Sequence, residues 1–139
     1  MQWLLDTCVV SEVIRKSPDV AVTQWLSAHA DNAAMPVVAV GELQFGIERL
    51  GAGRQRNTLQ LWFDGLCLQF SGRILPTDEA VWRAFARLKA SLAAVGRPQD
   101  DFDLLIAATA TVNQLTLVTR NTRHFEDSGV KMFNPWDAR

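Results

Sequence analysis

Short apolar runs alternate along the chain with longer stretches in which apolar residues return every three or four positions. The first short run, Trp3-Leu4-Leu5, stops at a carboxylate, Asp6, which is how a buried strand ending in a turn reads. Residues 19–30 then place Val20, Val22, Trp25, Leu26 and Ala30 around polar Thr23, Gln24 and Ser27, the pattern of an amphipathic helix. A second apolar run covers residues 35–38. Over residues 40–50, Val40, Leu43, Ile47 and Leu50 keep helical spacing, and Glu42 lies off that stripe in a first helical turn. Gly51, Gly53 and the cluster Arg49, Arg54 and Arg56 mark a basic connection. Leu59, Leu61, Trp62, Phe63 and Leu66 follow as another helical segment, so the pair predicts a helical hairpin.

Arg73-Ile74-Leu75 is the next strand and ends at Pro76. Thr77 can cap a helix whose first turn carries Asp78 and Glu79, favoured by the helix dipole, and which runs to about Val95. Gly96 and Pro98 are stop signals. Asp100-Asp101-Phe102-Asp103 then opens a markedly apolar helix over residues 104–112. Residues 115–119 are β-branched and apolar, hence strand-like, and end in Arg120-Asn121 much as the first strand ends in Asp6. A last short run covers residues 130–133. This alternation predicts an α/β fold in which a central, mainly parallel sheet is covered by helices on both faces, with one domain over residues 1–139. In such sheets the ligand crevice lies at the carboxyl ends of the strands, which is where Asp6 and Asn121 fall.

With 139 residues, 48% hydrophobic and 21% charged, the chain can bury a core without disulfides or a structural metal. A net charge of -1 means that any affinity for nucleic acid must come from local clusters of Arg and Lys. Cys8 and Cys67 lie in apolar surroundings without zinc-site spacing, which fits a reducing cytosol. Asp6 interrupts the first apolar run and no basic leader precedes it, unlike a signal peptide. No stretch reaches the roughly 18 uncharged apolar residues that a membrane helix requires. A soluble, cytoplasmic protein is the expectation.

Asp6, Glu42 and Asp103 are carboxylates at element ends. Brought together they would suit a hard cation such as Mg²⁺ or Mn²⁺, which takes oxygen ligands and retains several waters. Each also has an ordinary structural reading, because acids in first helical turns answer the helix dipole and an Asp after a strand caps a turn. Asp100 shares a helix face with Asp103, whereas Asp101 projects elsewhere; plain capping is the simpler role for both. Spacing alone does not show that residues 6, 42 and 103 meet.

Four ordered segments supply what spacing cannot: Leu4-Leu5-Asp6-Thr7; Val40-Gly41-Glu42-Leu43 with Gly46; the run Asp103-Leu104-Leu105-Ile106-Ala107-Ala108-Thr109-Ala110; and Leu117-Val118-Thr119-Arg120-Asn121 with Phe125. Together they resemble the PIN-domain toxins of the VapC/FitB-like group, and Gly72-Arg73-Ile74-Leu75-Pro76 and Phe133-Asn134-Pro135-Trp136 look like its FitB-like branch. The resemblance implies a three-layer PIN-like fold and a Mg²⁺-dependent endoribonuclease that acts as the toxin of a type II toxin–antitoxin pair. It implies Asp6, Glu42 and Asp103 as the catalytic, metal-holding acids. It also implies a cognate antitoxin, a toxin homodimer and a larger assembly on DNA through the antitoxin. Two positions depart from the pattern: Asn121 stands where many relatives carry a fourth acid, which puts a second metal in doubt, and Cys8 stands where Asn is frequent.

Thr7 and Thr119 flank the proposed ligands, and their hydroxyls can orient a carboxylate or a bound water, as can Asn121 and Asp100. Arg120, Arg123, Arg49 and Arg54 are weaker candidates for the RNA backbone, because arginine forks match phosphate oxygens. Cys8 reads as a packed small hydrophobe. His124 lacks a paired Ser or Cys, which disfavours a general-base role, and the five tryptophans fall mostly on apolar stripes. Two rival readings are a non-catalytic binding module with a decayed groove, and an aspartyl-phosphate enzyme using Asp6. The second lacks an acid close to Asp6 and a lysine after a later strand.

Overall fold

A computed structural model describes residues 1–137. Five short strands, β1 (Trp3–Leu5), β2 (Ala33–Pro36), β3 (Ile74–Leu75), β4 (Thr116–Val118) and β5 (Met132–Phe133), form an all-parallel sheet in the order β3-β2-β1-β4-β5. The helices are α1 (Thr7–Ser11), α2 (Val20–His29), α3 (Val37–Glu48), α4 (Arg54–Gln69), α5 (Glu79–Ala94) and α6 (Asp101–Val112), with a 3₁₀ helix over Thr122–Ser128.

Strand side chains alternate between the two faces, and the apolar runs exist because both faces are covered. Leu5, Ala33, Met35 and Val118 pack with Val9 and Val10 of α1, Val22 of α2, Ala39 of α3, and Phe70 and Trp136. Leu4, Ala34 and Leu117 pack on the opposite face with Ile106, Ala107 and Ala110 of α6 and with Phe125. Helix α6 is apolar all round because it is buried twice: beyond the sheet, its Leu105 and Ala108 meet Val81 of α5. The three-layer α/β arrangement expected from the sequence is the one formed.

Several local details differ from the sequence reading. The second apolar run is divided: Pro36, extended at φ −74° and without an N–H to donate, ends β2 and caps α3 from Val37. Glu42 is therefore in the second turn of α3 and not the first. Arg54 and Arg56 belong to α4 and not to the connection. Asp78, not Thr77, caps α5, accepting from the Val81 amide at 3.0 Å. The five-residue α1 and the 3₁₀ helix after Asn121 were not anticipated. Among the described residues no helix is long and apolar enough to cross a membrane.

Candidate active site

Strand β1 is central, and the chain builds outward from it on one side through β2 and β3, then on the other through β4 and β5. The order reverses between β1 and β4, whose carboxyl ends carry Asp6 and Thr119 in adjacent register, Leu5 facing Val118. A crevice at such a reversal is where open α/β sheets bind ligands. The Asp6 amide donates to the Val118 carbonyl at 2.9 Å, and the Thr119 amide donates to Phe133 at 3.0 Å. Asp6 is only 6% exposed. One carboxylate oxygen, Oδ1, caps α1 by accepting from the Thr7 amide at 2.8 Å, and the other, Oδ2, accepts from the buried Thr119 hydroxyl at 2.7 Å.

Thr7 also reaches across to α3, its hydroxyl donating to Glu42 Oε1 at 2.8 Å. Asp100 caps α6 by accepting from the Phe102 and Asp103 amides, which fixes Asp103 in the first turn. His124 Nδ1 lies 3.4 Å from Asp103 Oδ2. Asp6, Thr7, Glu42, Asp100, Asp103 and Asn121 thereby line one cleft of about 470 Å³, joined by Cys8, Ser11, Phe102 and His124. Thr119 stands behind it, buried against Asp6. The larger hollow at the amino ends of the strands, about 690 Å³, is lined by no carboxylate.

Crowded acids with little water around them hold protons more tightly than usual. Burial raises the Glu42 carboxyl above its ordinary value; the Thr7 hydrogen bond opposes this, and the charges of Asp6, Asp103 and Asp100 add to it. Asp103 is raised by burial and by Asp100, with His124 pulling the other way. Cys8 is pushed up to about 11, chiefly by burial and then by the Asp6 charge, so its thiol is held protonated and unreactive.

The donor set is oxygen throughout, as Mg²⁺ or Mn²⁺ prefers. As placed, no three acidic, His or Cys side chains among the described residues form a closed ligand cage. Glu42 Oε2 and Asp103 Oδ1 make no hydrogen bond within the described residues, while the remaining carboxylate oxygens are tethered by Thr7, Thr119 and His124. The acids fit a hard cation by chemistry, with two oxygens free to turn toward it.

Other expectations resolve unevenly. Asp101 projects away from the cleft and pairs with Lys89 at 2.9 Å. Arg120 lies over the Trp136 ring at 5.2 Å and Arg49 over Phe45 at 5.5 Å; neither they nor Arg54 and Arg123 line the acidic cleft. Trp3 and Trp25 pack in the core and Trp136 is buried, whereas Trp82 is half exposed. Sequence reasoning missed Ser11 and Phe102 as cleft residues. Phe102 did carry a signal, as the one aromatic inside an acidic run. Glu12, 3% exposed, is an acid outside the cleft: it accepts from the Asp19 amide at 2.7 Å and pairs with Arg15.

This parallel sheet, with acids gathered at its reversal point, is the architecture of the PIN domain; the chain matches that family over residues 3–130 and belongs to it. More narrowly, it is 37% identical over 135 residues to the toxin FitB of Neisseria gonorrhoeae, covering 96% of this chain and 97% of FitB. It is 35% identical over 136 residues to VapC ribonuclease Y4jK of Sinorhizobium fredii, covering 96% of this chain and 97% of that one. A solved structure of FitAB bound to a DNA fragment superposes with a TM-score of 0.91 at 34% identity, covering 97% of this chain and 96% of that one.

Proposed function

We propose that this chain is a metal-dependent endoribonuclease, the toxin of a type II toxin–antitoxin pair, which hydrolyses RNA phosphodiesters in the cytoplasm. The observation that carries the reading is the convergence of Asp6, Glu42 and Asp103, from three distant segments, on one cleft at the sheet's reversal point. The names of the FitB and VapC relatives support it.

In this reading Asp6 and Asp103 hold Mg²⁺, or Mn²⁺ in its place, directly. Glu42 holds it directly or through water and orients the attacking water, and Asn121 adds a neutral hydrogen bond. The cation, when bound, supplies positive charge for the phosphate and acidifies the attacking water. Thr119 and Thr7 fix the carboxylates, and Asp100 supports Asp103 through the helix cap. The 2′-hydroxyl then serves recognition, so an RNA deoxygenated at the scissile 2′ position remains a substrate. The likeness to FitAB bound to a DNA fragment supports a cognate antitoxin and an assembly on DNA through that partner; a homodimer of this chain completes the proposed assembly.

The test is cleavage of total and transfer RNA by purified protein with Mg²⁺ or Mn²⁺ against chelator, alongside folded Asp6→Asn and Asp103→Asn variants. Metal-dependent cuts lost in both variants carry the reading. Asn121, in place of a fourth acid, favours one alternative, a catalytically weak module that holds nucleic acid or a partner peptide. Absence of both cutting and metal binding by the wild type would select it.

A further inference from the structure

Next to the acidic cleft lies a second, apolar groove of about 620 Å³, lined by Val38, Gly41, Glu42, Phe45 and Phe102. Glu42 and Phe102 belong to both, so the two are continuous. Phe45 and Phe102 are 63% and 55% exposed, although large aromatic side chains ordinarily sit inside. Gly41 sits in the middle of α3, where glycine is among the poorest helix formers. Its backbone does not need glycine, since its φ is not positive, and a Cβ added there would meet no atom within 4 Å. What glycine does at this position is leave the groove open.

Beyond the groove stands Arg49. Glu42, Phe45 and Arg49 are three and seven residues apart and share a face of α3, so the arginine lies about 10 Å along the helix axis from the carboxylate. Its guanidinium rests over the Phe45 ring and has no carboxylate partner among the described residues, unlike Arg56, which pairs with Glu48. One line of the surface thus carries, in order, an acidic phosphate-processing cleft, two exposed aromatic faces and an unpaired cation.

We propose that the groove between Phe45 and Phe102 is a base-binding subsite, which stacks an unpaired nucleobase next to the phosphate held at the acidic cleft while Arg49 takes the backbone phosphate beyond it. This rests on the nuclease reading above. Alternation of aromatic faces with a backbone cation is how proteins hold single strands, and a base locked in a duplex has no free face to offer. Continuity with the phosphate cleft and the unpaired arginine favour RNA over a protein side chain as the occupant.

The probes are a fluorescein-labelled uridine dodecamer and the same backbone made abasic at every position, with binding read by anisotropy in Ca²⁺ and cleavage in Mg²⁺. The intact strand is expected to bind between about fivefold and 150-fold more tightly than the abasic one, the range that stacking of one base supports. Gly41→Leu, whose Cβ meets no atom within 4 Å and whose longer side chain projects toward the groove, and Phe45→Ala with Phe102→Ala should each erase that ratio. Phe102→Trp should preserve it, and Arg49→Gln should weaken both strands alike and lower the salt slope by about 0.7. Equal binding of both strands by the wild type overturns the subsite. So does unchanged RNA discrimination in the groove variants with a shift in oligomeric state, which would assign the groove to a second copy, or with loss of a protein partner. Base-dependent binding without any cleavage would sink the nuclease reading and leave the subsite standing; cleavage without base dependence would do the reverse.

Discussion

Replacing Thr119 with Val removes one oxygen atom from the most enclosed part of the site and leaves the shape nearly unchanged. Thr119 is fully buried, donates to Asp6 Oδ2 at 2.7 Å and accepts from the Asn121 amide at 3.0 Å. The variant therefore opens no cavity but strips a donor from a carboxylate that water barely reaches. A hydrogen bond to a charged group is worth about 1.5–3 kcal/mol, and in the variant Asp6 Oδ2 keeps only a long contact from the Cys8 thiol at 3.7 Å. With an unfolding entropy of about 2.1 cal/mol/K per residue, each kcal/mol moves the midpoint of a chain this long by about 3.4 °C. Thr119→Val should then melt about 5–10 °C below the wild type in chelator at pH 7.5 by scanning calorimetry. Thr119→Ser, which restores the hydroxyl, should recover most of that loss. RNA cleavage should fall in the Val variant as Asp6 loses its fixed orientation. A midpoint within about 2 °C of the wild type would show that the Thr119 hydroxyl does not hold Asp6, and the account of the site would fail with it.

Other outcomes follow from the same geometry. Glu42 and Asp103 hold protons more tightly folded than unfolded, so their contribution to stability is present below about pH 4 and is lost as pH rises through the raised folded values. Urea titrations of the metal-free chain should show Glu42→Gln and Asp103→Asn flattening that fall, and Mg²⁺ should stabilise the wild type more at pH 7 than at pH 5; steeper pH dependence in the amide variants would contradict the charge-crowding argument. Glu12→Ala should destabilise by about 1–2 kcal/mol, because the half-buried Asp19 amide loses its bond to the buried Glu12 carboxylate, while cleavage by the protein that folds persists; selective loss of cleavage in a fully stable variant would place Glu12 in the chemistry. Cys8, held protonated, should resist iodoacetamide at pH 8 until the chain is denatured, as read by mass spectrometry.

The sheet was legible in the sequence because strands buried on both faces must be apolar throughout. Trp3-Leu4-Leu5 and the run over residues 115–119 announced themselves and placed Asp6 and Asn121 near strand ends, although the strand itself stops at Val118. The turn that carries Glu42 was misjudged because hydrophobic spacing marks the middle of a helix, while its start was set by Pro36. Helix α1 is too short for any periodicity to register, yet its Thr7 is what ties Asp6 to Glu42. His124 reaches Asp103 from a 3₁₀ helix whose sequence carries no repeat of its own. That residues 6, 42 and 103 meet follows from tertiary packing, and only a family resemblance made it visible beforehand.

The pairing of β1 with β4 joins residues 3–5 to residues 116–118. During synthesis the amino-terminal strand leaves the ribosome long before its central neighbour exists, and contacts between such distant segments form late. Asp6 can be translated, and α1 and α3 can begin to coil, while the chain still lacks Asp103, Thr119 and the wall that shields them. A prematurely terminated polypeptide therefore carries Asp6 and Glu42 without the late segments that close the cleft around them, and the site is complete only after nearly the whole message has been read.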